Sequence, residues 1–159
     1  MLNEFNKDLV RFMMVSRSSD SHFDFDLDKC REGSDDNPIF YIQYANARIN
    51  SILSKDNVKF DKDENKNLYF LNLEKEIELI KKMLIFPDIV EESSNSMAPH
   101  KIAFYLQELA PIFHSYYKET KVLVDDEKLT SARILLLCCL KIVFTNGLNL
   151  LGVSSPDRM

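Results

Sequence analysis

Apolar residues recur along most of this chain at three- and four-residue spacing, which predicts an all-α protein. The clearest run covers residues 37–53, NPIFYIQYANARINSIL. Asn37 is a good N-cap acceptor, and Pro38 falls at the first helical position, where a missing N–H costs nothing. Ile42, Ala45, Ile49, Ile52 and Leu53 then write one apolar stripe, with Tyr41, Tyr44 and Arg48 one turn apart along its edge. Such an edge can bury ring faces while offering donors to a polar partner. From pattern alone the aromatics read as core and the arginine as a solvated rim charge.

Other stretches carry the same period. Residues 3–15 predict a short helix with Leu9, Phe12 and Met13 on one side. Residues 55–66 are charged and aperiodic, a solvated loop. Residues 68–86 predict a helix turning Leu73, Ile77, Ile80 and Leu84 inward and ended by Pro87. EESSNS at 91–96 reads as a linker, with Ser96 a cap and Pro99 near the first turn of the helix that follows. That helix, 100–118, lines up Ala103, Leu106, Leu109, Ala110, Phe113 and Tyr117, and Pro111 should kink it. Phe113 and Tyr117 stand one turn apart; bases stack on such ring pairs, although the pattern by itself favours core aromatics. Asp125 or Asp126 caps a last helix with its stripe at Leu129, Ala132, Leu136, Cys139, Leu140, Val143 and Leu150, breaking near Gly147 or Gly152.

Composition adds bounds. The 159 residues suit one domain with a sizeable core, and only 3 Gly with no Trp favour helices over a turn-rich sheet. No segment reaches about eighteen uninterrupted apolar residues, so no membrane span is expected. The N-terminus lacks the basic-then-apolar order of a signal peptide. An odd set of 3 cysteines, Cys30 with the adjacent Cys138 and Cys139, suggests reduced, buried thiols in a cytoplasmic protein. The net charge of −5 does not advertise a nucleic-acid binder, yet it leaves room for a local basic face.

No catalytic constellation is written here. His22, His100 and His114 are isolated from one another, and Cys138-Cys139 alone cannot make a zinc site. The shortage of glycine excludes a phosphate-cradling loop. Phe23, Phe25 and Leu27 alternate with Asp24, Asp26 and Asp28, as in a short extended segment. A calcium loop starting at Asp24 would need Gly and Glu where Lys29 and Asp35 stand, so no metal is predicted.

Three ordered motifs change the picture: Asp24-Phe25-Asp26, then Asp36-Asn37-Pro38, then Tyr41-x-Gln43-Tyr44-Ala45-x-x-Arg48. In that order and spacing, residues 16–48 resemble the start of the C-terminal region of arginyl-tRNA synthetases. Lys7-Asp8-Leu9-Val10-Arg11-Phe12 resembles a segment that in those enzymes follows closely after their Lys-Met-Ser-Lys-type ATP loop. At the other end, Ala132-Arg133, the run from Gly147 to Gly152 and Pro156-Asp157-Arg158-Met159 are similar to the family's own C-terminus. The Asp-Ala-Leu-Arg string that names the domain type stands here as Thr130-Ser131-Ala132-Arg133, keeping the arginine.

The resemblance implies a helical anticodon-binding bundle over residues 31–159, with residues 1–30 the end of a stem-contact segment. It implies binding to the anticodon arm of arginine tRNA, as a monomeric piece of a class I synthetase whose catalytic domain, with its ATP and Mg²⁺, lies outside this chain. By itself the chain should be inactive and need no cofactor. Carried over by position, the anticodon contacts are Tyr41 or Tyr44, Phe113, Tyr117 and Met159, with Arg48 their polar partner. Arg11, Arg17, Lys118, Lys121 and Arg158 are candidate phosphate contacts. A free-standing helical adaptor for RNA or protein is the alternative.

Overall fold

Asn37 and Pro38 start the central helix as the capping rules require. The Asn37 side chain accepts the Ile39 amide N–H at 3.2 Å, and Pro38 is the first helical residue. The computed structural model describes residues 6–18, 37–55 and 64–159. Within them lie α1 (Lys7–Val15), α2 (Pro38–Leu53), a 3₁₀ segment (Glu64–Phe70), α3 (Glu74–Leu84), α4 (Phe86–Asn95), α5 (His100–Glu119) and α6 (Glu127–Leu150). No strand occurs among the described residues. The alternating Phe/Asp segment, Cys30 and most of the charged loop fall outside them.

Helices α2, α5 and α6 pack against one another, and α1, α3, α4 and the 3₁₀ segment close around them. Ile39, Ile42, Ala45 and Ile49 of α2 are buried with Leu106, Leu109 and Phe113 of α5 and Leu137, Leu140 and Phe144 of α6. Leu9 and Phe12 of α1 join the same core. Gly147 marks a close approach of α5 to α6, since a Cβ there would sit 2.8 Å from a methyl of Leu106. Asp126 is the residue that caps α6, accepting from the Lys128 and Leu129 amides. By length and composition α6 could cross a membrane, yet 61% of its apolar window is buried inside the bundle, as suits a core helix.

Several expectations from periodicity need correction. The predicted helix over 68–86 is two elements, a 3₁₀ segment and α3, and its inner face is rotated. Leu73, Ile77 and Leu84 are exposed, whereas Glu76 and Leu79 are buried with Ile80 and Met83 packed beside them. The reason is a charge. Glu76 is wholly buried, its Oε1 receiving Arg133 Nε at 2.8 Å and its Oε2 the Leu73 amide at 3.1 Å. Arg133 also donates through Nη1 to the Lys121 carbonyl, and Tyr116 completes the cluster by donating to Glu76 at 3.4 Å. Burial pushes the Tyr116 phenol well above its usual range, so it stays a proton donor.

Pro87 opens α4 rather than ending a helix, and the supposed linker 91–96 is mostly the last turns of α4, with Ser96 at its C-terminus. At the end of α5 the buried phenol is Tyr116, while Tyr117 is half-buried. Cys139 and Leu150 are exposed and Cys138 half-buried, so the adjacent thiols are not a buried pair.

Arg133→Ala would strand the Glu76 carboxylate without its partner. It is expected to cost about 3–5 kcal/mol of folding stability, measured by urea denaturation. A loss no larger than a typical exposed ion pair would contradict the burial of this cluster.

Candidate nucleic-acid interface

Helix α2 carries three parallel stripes. The apolar one faces the core. A second, Gln43, Asn46 and Asn50, is polar yet buried, and a buried amide needs partners. The C-terminal tail supplies them. Gln43 Nε2 donates to Asp8 at 2.9 Å and to the Ser154 carbonyl at 2.9 Å. Asn46 Nδ2 reaches the Pro156 carbonyl at 3.0 Å, and Asn50 Nδ2 reaches Asp157 Oδ1 at 2.6 Å. Ser154 Oγ donates to Asp8, and Thr145 of α6 donates to Asn46 Oδ1 at 3.4 Å.

Tail direction is set one step earlier. Gly152 takes the left-handed conformation (φ 69°) after α6, and Leu151 and Val153 are buried on either side. Arg11 Nε donates to the Leu151 carbonyl at 2.7 Å, its guanidinium lying where a Cβ on Gly152 would be. The residues after 153 are thereby laid along α2.

The third stripe, Tyr41, Tyr44 and Arg48, meets α5. His114 of α5 enters between the two tyrosines, its ring centroid 4.2 Å from Tyr41 and 5.5 Å from Tyr44, nearly parallel to the latter. The Arg48 guanidinium lies between Tyr44 and Tyr117, at 5.2 and 5.5 Å from their ring centroids. Tyr117 stacks in turn at 6.0 Å on Phe113. One continuous stack therefore runs Tyr41, His114, Tyr44, Arg48, Tyr117, Phe113. Burial lowers the His114 pKa from its ordinary value, with the Arg48 charge adding to the shift and the hydrogen bond to the Tyr41 backbone opposing it.

Arg48 also faces an open cleft of about 660 Å³, lined by Tyr44, Ser51, Lys141, Asp157, Arg158 and Met159 among others. The buried Arg48 Nε has no hydrogen-bond partner. A half-buried guanidinium flanked by rings, in a cleft with three cations against Asp157, suits a flat, acceptor-bearing ligand with negative charge nearby. The local balance thus opposes the chain's net −5.

The structure brings Tyr44, Arg48, Met159 and Arg158 to one cleft, with Tyr117 against Arg48. Tyr41 stands further along the stack, against His114. Phe113 is fully buried against Phe144 and Tyr117, so its ring backs the stack and offers no face to a ligand. Arg11 is committed to the end of α6. Lys118 and Lys121 are exposed at and just past the end of α5, and Arg17 is exposed after α1; none of the three lines the cleft. Sequence reasoning missed His114 and Lys141. His114 lies one helical turn before Tyr117, a spacing that could have marked it, whereas nothing in the apolar pattern of α6 singles out Lys141. Among the described residues no cluster of His, Cys, Asp and Glu could hold a metal ion.

Comparison with known proteins places this geometry. The chain is 40% identical to an arginine–tRNA ligase of Geobacter sp. (strain M21), covering 100% of this chain and 29% of that protein. It is 44% identical to an arginine–tRNA ligase of Nitrosomonas eutropha, covering 98% of this chain and 27% of that one. It therefore spans under a third of the length of these relatives. The solved arginyl-tRNA synthetase of Thermus thermophilus superposes with a TM-score of 0.81 at 31% identity, over 96% of this chain and 26% of that one. The sequence profile of the DALR anticodon binding domain matches residues 42–159, which takes in α2 from Ile42 onward, every member of the stack but Tyr41, and the docked tail, and the chain belongs to that family.

Proposed function

We propose that this chain binds the anticodon arm of arginine tRNA as the C-terminal part of an arginine–tRNA ligase. On this reading residues 31–159 are the anticodon-binding domain and residues 1–30 the end of a stem-contact segment. The catalytic domain of the same polypeptide would join arginine to the tRNA with ATP and Mg²⁺, in the cytoplasm and as a monomer. The family and the relatives' names support the partner. The observation that carries the site is the Arg48 guanidinium, held between Tyr44 and Tyr117 and lining one cleft with the docked Arg158–Met159 end.

Anticodon reading needs an unstacked base, a ring to receive its face and donors for its edge. Tyr44, its faces met by His114 and Arg48, offers its exposed ring edge to the base, and Arg48 the donors. Met159 closes the other side with an adaptable thioether. Tyr41, Phe113 and Tyr117 act from within the stack. Arg158 and Lys141 suit the flanking phosphates, with Arg17, Lys118 and Lys121 further out along the arm. Each released counterion makes binding salt-dependent, whereas base reading persists as a ratio.

Fluorescence titration against arginine tRNA and a transcript with only the middle anticodon base changed tests this at two salt concentrations. The natural anticodon is expected to bind more tightly at both. Arg48→Ala or deletion of Met159 is expected to remove about 1–3 kcal/mol of that preference, the size of one base contact. Equal affinity of the unaltered chain for both transcripts would contradict the site. Asn46→Ala tests the tail separately: it is expected to leave helix content unchanged by circular dichroism, speed proteolysis within residues 154–159, and lower the same preference. A tail no more sensitive to protease than before would contradict its dependence on the amide stripe.

A further inference from the structure

We propose that His114 is a positioning residue for base reading: its ring holds Tyr41 and Tyr44 as one stacked face for the anticodon loop. This rests on the tRNA-binding reading above. Tyr41 and Tyr44 are each about two-fifths exposed, at 40% and 39%. Among the described residues neither phenol hydroxyl makes a hydrogen bond; the contacts that orient these rings are the stacking on His114 and, for Tyr44, the Arg48 guanidinium. His114 is the ring that touches both.

The imidazole is itself anchored. Its Nε2 lies 3.0 Å from the Tyr41 carbonyl oxygen. A carbonyl oxygen only accepts, so Nε2 carries the proton and donates, which fixes the ring's tautomer and orientation. The anchor reaches across from α5 to the backbone of α2, and through it the two helices that build the stack share one register. The charged group acting on the ring is Arg48 on α2; on its own helix, Tyr117 and Lys118 follow one turn on.

A ring needed only for folding would weaken every tRNA equally when removed, whereas a positioning ring affects the ratio between anticodons. The test uses the 159-residue chain, fluorescently labelled arginine tRNA and the middle-base variant, with His114→Ala, His114→Phe and His114→Gln. His114→Ala is expected to reduce the ratio of affinities about tenfold, the order of one weakened base stack, and to leave binding of the middle-base variant within about twofold. His114→Phe, which restores a flat ring, is expected to recover most of the ratio. His114→Gln, which keeps an N–H donor without a ring, is not.

An unchanged ratio in His114→Ala, with the unaltered chain still discriminating, would overturn the proposal while the tRNA-binding reading stands. So would an equal loss for both transcripts. If the unaltered chain does not discriminate, the reading fails and this inference with it. Should His114→Ala not fold, Phe against Gln decides, and the same ratio in both overturns the proposal.

Discussion

Gln43, Asn46 and Asn50 are buried amides on a helix whose neighbouring positions are apolar, and such groups are costly unless every one finds a partner. Each finds a partner in the tail, at Ser154, Pro156 and Asp157, more than a hundred residues along the chain, with Asp8 and Thr145 adding to Gln43 and Asn46. Satisfying the amides and docking the tail are therefore one event. The docked tail is also one wall of the cleft, because Asp157, Arg158 and Met159 line it opposite Tyr44 and Arg48. If the stripe were apolar, α2 could pack equally well and the cleft would lose that wall. Folding chemistry on one face of α2 thereby sets the binding geometry on the next.

A second buried polar cluster does a different job. Glu76 and Arg133 tie α3 to α6, with Tyr116 of α5 and the Lys121 carbonyl joining them. Breaking such a pair is destabilising, although an apolar replacement of both groups need not be. The arginine of the Asp-Ala-Leu-Arg position is thus structural here: it lies in this cluster and does not line the cleft. That accounts for how the rest of the string can read Thr130-Ser131-Ala132 without loss of the contact. Thr130 has its own use, since its hydroxyl closes onto Val124 ahead of α6.

Helix α2 was legible in the sequence down to its cap because local rules act there: an Asn before a Pro, then an apolar period. The family resemblance placed the Asn37–Arg48 motifs and the C-terminal motifs in one domain, and the amide bonds show why these two stretches belong together. Features that failed to show depend on partners far away in sequence. Periodicity turned Leu73, just before α3, and Ile77 and Leu84 within it inward because it cannot foresee a buried glutamate paired with an arginine across the bundle. It merged two elements around residues 68–86 because nothing in the apolar spacing marks their junction. The spacing of Phe113 with Tyr117 by itself favoured core aromatics, and the platform role came from the resemblance; Phe113 is buried facing Phe144. His114 offered only its one-turn spacing from Tyr117 until α2 brought two tyrosines against it.

The most direct test of this account is a crystal structure of the chain bound to the anticodon stem-loop of arginine tRNA. The account predicts the middle anticodon base unstacked in the cleft, its edge facing Arg48 and Met159 against it, with residues 154–157 still bonded to Gln43, Asn46 and Asn50. A loop bound away from this cleft, or a base held there only after the tail has left α2, would contradict it.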